Sequence, residues 1–188
     1  MTEAPTHNVV DLILKDHREL ERLFDTLLDD PSSRPTLVPV MTTLLTAHSR
    51  AEEAKVYPAI SEAGAGDDVE HSQEEHLAAD RLAQEVAATD PTSPDFAVVL
   101  KKLIDAVKHH VEEEEETVLA DLRERLDEDG LAELGVSFLA ERERLLGDQP
   151  ADITKDQLEQ QAANVGVTGA SSMSKDELAS ELQEHADL

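Results

Sequence analysis

His110-Val111-Glu112-Glu113-Glu114 repeats, in outline, an earlier phrase of the chain, His48-Ser49-Arg50-Ala51-Glu52. In each, a histidine precedes a glutamate by four residues, so on a helix the two side chains share a face one turn apart. Each phrase sits in an amphipathic stretch. Leu37, Met41, Leu44, Leu45, Val56 and Ile60 surround the first at helical spacing, and Val99, Leu103, Val107 and Val118 the second. Two more histidines fall on stripes of the same kind. His17 lies among Val10, Ile13, Leu20, Phe24 and Leu28, and His76 among Val69, Ser72, Ala79, Ala83 and Val86. The pattern predicts an all-α protein whose four main helices each turn a histidine inward, and a four-helix bundle builds its metal sites in this way.

The breaks between these stripes set the boundaries. Thr6 is read as the cap of the first helix, which runs to about Leu28. Asp30-Pro31-Ser32-Ser33-Arg34-Pro35 interrupts it, and Thr36 is read as the next cap. Pro39 is placed in the first turn of the second helix, and Pro58 is expected to kink that helix or thin its end. Gly64-Ala65-Gly66-Asp67 closes it, and a third helix covers about Asp68 to Ala88. Thr89 to Pro94 forms a turn before the fourth. Asp129-Gly130 reads as a stop, so the bundle is assigned residues 6–128, followed by an additional packing helix at 129–147. That amphipathic segment, about Leu131 to Leu146, packs on the bundle or serves homodimer association. Gly147 to Pro150 reads as a linker. Beyond it, Thr154-Lys155-Asp156-Gln157 and Ser174-Lys175-Asp176-Glu177 are two capping-box signatures, which predict a small module of two short helices at 151–186.

Composition narrows the function. Of 188 residues, 39% are hydrophobic but only 2% aromatic, so the core is aliphatic and suited to helices. A formal net charge of −27 disfavours nucleic acid and anionic membranes as partners and favours cations. The absence of cysteine excludes thiolate ligands and thiol catalysis and fits a cytoplasmic location. The N-terminal residues lack a basic, apolar signal sequence, and no run has the length of a membrane span.

The six side chains His17, His48, Glu52, His76, His110 and Glu114 exceed what one tetrahedral ion needs. Imidazoles with carboxylates suit first-row transition metals, and carboxylates bridge pairs of ions. A dinuclear site, most simply iron, accounts for the count, with zinc and manganese left open. Buried glutamates beside imidazoles and no cation would carry a large desolvation cost. Glu113 and Glu53 neighbour the chosen glutamates and are the natural confusions. His71 and His109 fall off the stripes and read as surface residues, while His7 and His185 lie near the ends.

The phrases Asp16-His17-Arg18-Glu19-Leu20, His48 to Glu53 with Tyr57-Pro58, Glu74-Glu75-His76 and His110 to Glu115 resemble the hemerythrin-like HHE cation-binding family. The resemblance implies an up-down-up-down bundle holding a non-haem, carboxylate-bridged pair of iron ions, with an oxo or hydroxo bridge. Its ligands would be His17, His48, Glu52, His76, His110 and Glu114, with Glu52 and Glu114 bridging. The chain departs from the oxygen-carrying members at Ser72, where they have a second helix-3 histidine, and in using Glu114 at i+4 where they use an aspartate at i+5. Water, Tyr57 or a spare carboxylate (Glu53, Glu75 or Glu113) is left to fill the gap. This implies reaction with O2, peroxide or nitric oxide rather than simple oxygen carriage, with a catalase-like reaction as the enzymatic version and an iron- or oxygen-responsive sensor as the alternative.

Residues 151–186 resemble the Rho termination factor N-terminal, SAP-like module. Such modules often touch nucleic acid, but from Ala151 onward the chain has eight acidic residues and two lysines. That is the wrong sign for phosphate, and a small capping or protein-docking module is the favoured reading.

Overall fold

Asn8 opens the first helix by accepting the Val10 amide hydrogen on its side chain at 2.9 Å. Helix α1 then runs Val9–Asp29. The structure, a computed structural model, describes residues 8–185, so the proposed Thr6 cap lies outside the described residues. After a short turn capped by Asp30, α2 spans Arg34–Ala51. Thr36 is therefore inside this helix. Pro35 occupies its first turn, where a missing amide hydrogen costs nothing. Pro39 is interior, not in the first turn.

Pro58 neither ends the helix nor simply bends it. A π-helical turn at Glu52–Val56 precedes it, and α3 continues over Tyr57–Glu62 with Pro58 in its first turn. Proline carries no amide hydrogen and crowds the carbonyl four residues back. The widened turn absorbs both effects, and such turns concentrate at functional sites. Gly64 reverses the chain at φ +96°, a conformation other residues rarely adopt.

Helix α4 covers Gly66–Ala88 and α5 Phe96–Glu116. A break at Thr117 separates α5 from α6 (Val118–Arg125), so Val118 belongs to α6. Asp129-Gly130 is not a stop. Leu126 is extended, and the Asp127 side chain accepts the Gly130 amide hydrogen at 2.9 Å, which starts α7 (Glu128–Leu145). Two short helices follow, α8 (Lys155–Asn164) and α9 (Lys175–His185), each opened by the expected capping box.

Helix α1 packs on α2 and α5, and α4 packs on the same two, which closes a four-membered ring. The core of that ring is layered. One apolar layer joins Leu20, Phe24, Met41, Leu45, Ala83, Phe96 and Leu103. The other joins Val10, Ile13, Val56, Ile60, Val69, Val118 and Leu122. Along α1, α4, α2 with the π turn that continues it, and α5 with the α6 that follows it, the histidine of interest lies between the two layers, so the polar residues form a slab between dry layers. Helix α7 lies across α1, α2 and the π turn and buries Leu131, Phe138 and Leu145 within this chain.

Helices α8 and α9 bury Leu158, Ala162, Val165, Leu178 and Leu182 against Leu77 and Ala78 of α4. Each is too short to persist alone. Burying a leucine contributes roughly 1.5–3 kcal/mol, so this seam holds the pair in place. Among the described residues the chain is entirely helical, and no helix is long and apolar enough to cross a membrane.

Candidate metal centre

His17, His48, Glu52, His76, His110 and Glu114 all lie within the polar slab and are at most 6% exposed. The ligating atoms of His17, His48, Glu52 and Glu114 fall within 4.8 Å of one another, as do those of Glu52, His76 and His110. Glu52 belongs to both groups. Its Oε2 is 3.2 Å from His48 Nε2 and 3.5 Å from His76 Nε2. Glu114 stands opposite, with Oε2 3.3 Å from His17 Nε2 and 3.7 Å from His110 Nε2. The structure thus gathers all six predicted side chains into two adjoining clusters that share Glu52.

Every imidazole turns Nε2 inward and is held at Nδ1 by an acid. His17 Nδ1 meets Glu115 at 3.0 Å, His48 meets Asp16 at 3.3 Å, His76 meets Glu53 at 3.2 Å and His110 meets Glu75 at 2.9 Å. A carboxylate behind each ring fixes its tautomer and raises its basicity, which is how metal-binding histidines are oriented. Asp16 is itself gripped by Arg142 of α7 through two bonds of 2.6 and 2.8 Å. The additional helix therefore positions a ring of the site as well as covering the bundle.

Glu53 is buried with Arg50, whose Nη1 donates to both carboxylate oxygens at 3.2 Å, while the other end of the guanidinium pairs with Asp80. Burial alone would push the Glu53 carboxyl up, but Arg50 and His76 hold it down at about 2. Gln161 of α8 also donates to Glu53, at 3.1 and 3.2 Å, and Asn164 donates to the Glu53 carbonyl and to Gln73 Oε1. The C-terminal module thus touches the support of His76.

The fit to a cation rests on orphaned atoms. Among the described residues, His17 Nε2, His48 Nε2, both Glu52 oxygens and Glu114 Oε2 are buried and make no properly directed hydrogen bond. Buried polar atoms are nearly always paired, so five orphans pointing at one place imply a missing partner. Imidazole nitrogens and carboxylate oxygens are the donor set of first-row divalent and trivalent metals. Without metal, the cluster balances itself with protons. Burial would lower the His48 pKa, but Glu52 and Asp16 outweigh it and raise it to about 10. Burial likewise opposes Glu114, which His17 and His110 hold at about 2. His48 must give up its proton before Nε2 can face a cation.

The residues suggested for the Ser72 gap separate cleanly. Ser72 is buried. The Tyr57 hydroxyl reaches the centre, 3.1 Å from His76 Nε2 and 3.3 Å from Glu114 Oε1. Glu53 and Glu75 stand behind imidazoles, and Glu113 lies at the surface with His71 and His109, which are exposed as read. Asp16, Glu115, Arg142 and Gln161 are supporting residues that periodicity did not single out. Asp16 is adjacent to His17 in the quoted phrase, but the Arg142 and Gln161 contacts come from segments 126 and 108 residues away from their partners and leave no local signal.

Residues 8–122, more than half the chain, match the family model described as Hemerythrin HHE cation binding domain. A relative named DNA nickase, from Nostoc sp. (strain PCC 7120 / SAG 25.82 / UTEX 2576), is 29% identical over 140 residues, 73% of this chain and 40% of that protein. The chain therefore spans well under half the length of this curated relative. No solved structure matches it.

Proposed function

The chain belongs to the hemerythrin HHE cation-binding family, and on that premise we propose that it holds two non-haem iron ions and uses them to bind or react with O2, peroxide or nitric oxide. The observation that carries this reading is the sharing of Glu52 between two ligand clusters. A single carboxylate with both oxygens unpaired, set between imidazoles of different helices, suits a bridge between two ions. Glu114 would be the second shared carboxylate, and His17 with His48 and His76 with His110 would hold the two ions. Two irons, when bound, supply redox chemistry toward small oxygen and nitrogen species.

The protein's own groups do the rest. Asp16, Glu53, Glu75 and Glu115 keep the four rings from turning. The apolar layers on either side exclude bulk water. Burial and the surrounding glutamates push the Tyr57 hydroxyl well above its ordinary range, so it keeps its proton and offers it at the inner edge of the site. A catalase-like reaction is the enzymatic version of this proposal. The nicking activity in the relative's name is not carried over, because a net charge of −27 repels a polyphosphate.

Protein purified from iron-supplied cells is expected to carry about two irons per chain with an absorption band of a bridged pair, and to release oxygen from peroxide faster than free iron does. Less than one iron per chain overturns the dinuclear reading. Two irons without turnover remove only the enzyme.

One observation favours a second reading, in which the metal is sensed rather than used. Gln161 binds Glu53, and Glu53 holds His76, so α8 lies two contacts from the metal-facing nitrogen. In that reading the C-terminal module reports the state of the centre to a protein partner.

A further inference from the structure

Helices α4 and α5 carry a second pair of His-x-x-x-Glu phrases, His71 to Glu75 and His109 to Glu113. His109 and Glu113 each precede an inner residue, His110 and Glu114, by one position. That offset turns them about 100° away from the bundle axis, toward the outer seam between α4 and α5. There His71 Nε2 lies 2.9 Å from Glu113 Oε2 and 3.7 Å from Glu75 Oε1. His109 Nε2 lies 3.4 Å from Glu113 Oε1 and 3.6 Å from Glu75 Oε1. Metal–nitrogen distances of about 2.1 Å place tetrahedral ligands about 3.4 Å apart, so His71, Glu75 and Glu113 are spaced as ligands of one ion, and His109 lies beside them against both carboxylates.

Surface histidines beside glutamates often amount to a weak ion-pair cluster and no more. Glu75 sets this one apart. It is only 4% exposed, and its Oε2 is committed to His110 Nδ1 at 2.9 Å. Its Oε1 is buried, faces His71 and His109, and has no hydrogen-bond partner. A buried carboxylate oxygen left without a donor is costly, and a cation seated between the two rings would satisfy it.

We propose that His71, Glu75, His109 and Glu113 form an outer site for one divalent transition metal, separate from the buried centre and joined to it through Glu75. Two imidazoles with two carboxylates select borderline ions such as Zn(II) or Fe(II) over Mg(II) and Ca(II). The rings are 50% and 58% exposed, which leaves remaining positions to water and makes the site weaker than the buried one.

The test is calorimetric titration of the untagged, chelator-stripped full chain with Zn(II), beside H71A/H109A, E113Q and H17A/H48A. Wild type is expected to show a tight class and a weaker class of about one ion. H71A/H109A and E113Q should weaken only the second class, by at least about ten-fold. H17A/H48A should lose only the first. Absence of a weaker class in wild type, or its survival in H71A/H109A, overturns the proposal. If the tight class is missing from wild type but H71A/H109A still abolishes binding, the buried-centre reading fails and the outer site stands. Because its substituted rings are half-exposed, H71A/H109A should melt like wild type in the stripped state.

Discussion

The Glu52→Gln variant is expected to lose most of its bound metal, while its stripped form melts at or above the wild-type temperature. Glu52 is fully buried, stands within 3.5 Å of imidazoles from two helices, and has no hydrogen bond to either oxygen. Glutamine keeps the shape and removes the charge. Substituting groups one step behind a metal ligand typically costs ten- to a hundred-fold in affinity, and a shared ligand should cost at least about that much. In the stripped chain Glu52 shares with Asp16 the holding of the His48 proton, so the substitution leaves Asp16 to hold it and removes the desolvation penalty of the Glu52 carboxylate. His48 retains Asp16 at 3.3 Å and is not left alone.

The rival account makes Glu52 a structural ion-pair partner of His48. Breaking such a buried pair destabilises by about 3–5 kcal/mol. For a chain of this size that is a fall of about 6–20 °C in melting temperature. Elemental analysis of the loaded variant and a melting curve of the stripped one therefore separate the two by sign. Unchanged metal content with a large fall in the stripped state would leave Glu52 as part of the scaffold only.

Which parts of this arrangement could be read from the chain follows from the range of the interactions. His48, Glu52, His110 and Glu114 were legible because a helix repeats every 3.6 residues and both pairs sit one turn apart on apolar stripes. His17 and His76 were legible by the same stripes. Helix ends were less so. Asp129-Gly130 has the composition of a stop, yet Asp127 two residues earlier makes it a start. Pro39 was misplaced because Pro35 moved the beginning of α2 back.

Glu53 read as the neighbour and rival of Glu52, and Glu115 lies in the acidic run Glu112 to Glu116. The π turn carries Glu53 into the packed seam beside Arg50 and α4, and α1 brings His17 to Glu115. Neither effect has a signature within one helical turn. The acid behind each imidazole is the feature that the sequence concealed most completely, since Glu115 meets a partner 98 residues away and Glu75 one 35 residues away.

The layered core explains why so polar a slab is tolerated. One apolar layer ties α1, α2, α4 and α5 on one side of it and the other ties α1, α4, the π turn, α3 and α6 on the other side, so the rings and acids are held at fixed separation by packing they do not take part in. This preorganisation lets a cation find its ligands already converged, and it confines the electrostatic stress to one level of the bundle. It also fixes where metal removal should act.

Stripping the metal is expected to lower the melting temperature by about 8–16 °C for each ion lost. One ion present at a thousand times its dissociation constant contributes about 4 kcal/mol, and a chain of this size shifts by about 2–4 °C per kcal/mol. The apolar layers should survive, so helical content stays near its starting value at low temperature while the slab loosens. Residues 147–153 then distinguish the two readings of the tail. In the sensing version, a freed His76 disturbs Glu53, the Gln161 contact is lost, and protease cuts the linker several-fold faster in stripped than in loaded protein. In the alternative, Arg50 and Gln73 hold Glu53 unaided. The seam of Leu158, Leu178 and Leu182 then keeps α8 and α9 docked, and linker cleavage is the same in both states although the melting temperature falls. Equal cleavage would make the module a cap on α4 and end its role as a reporter of the centre.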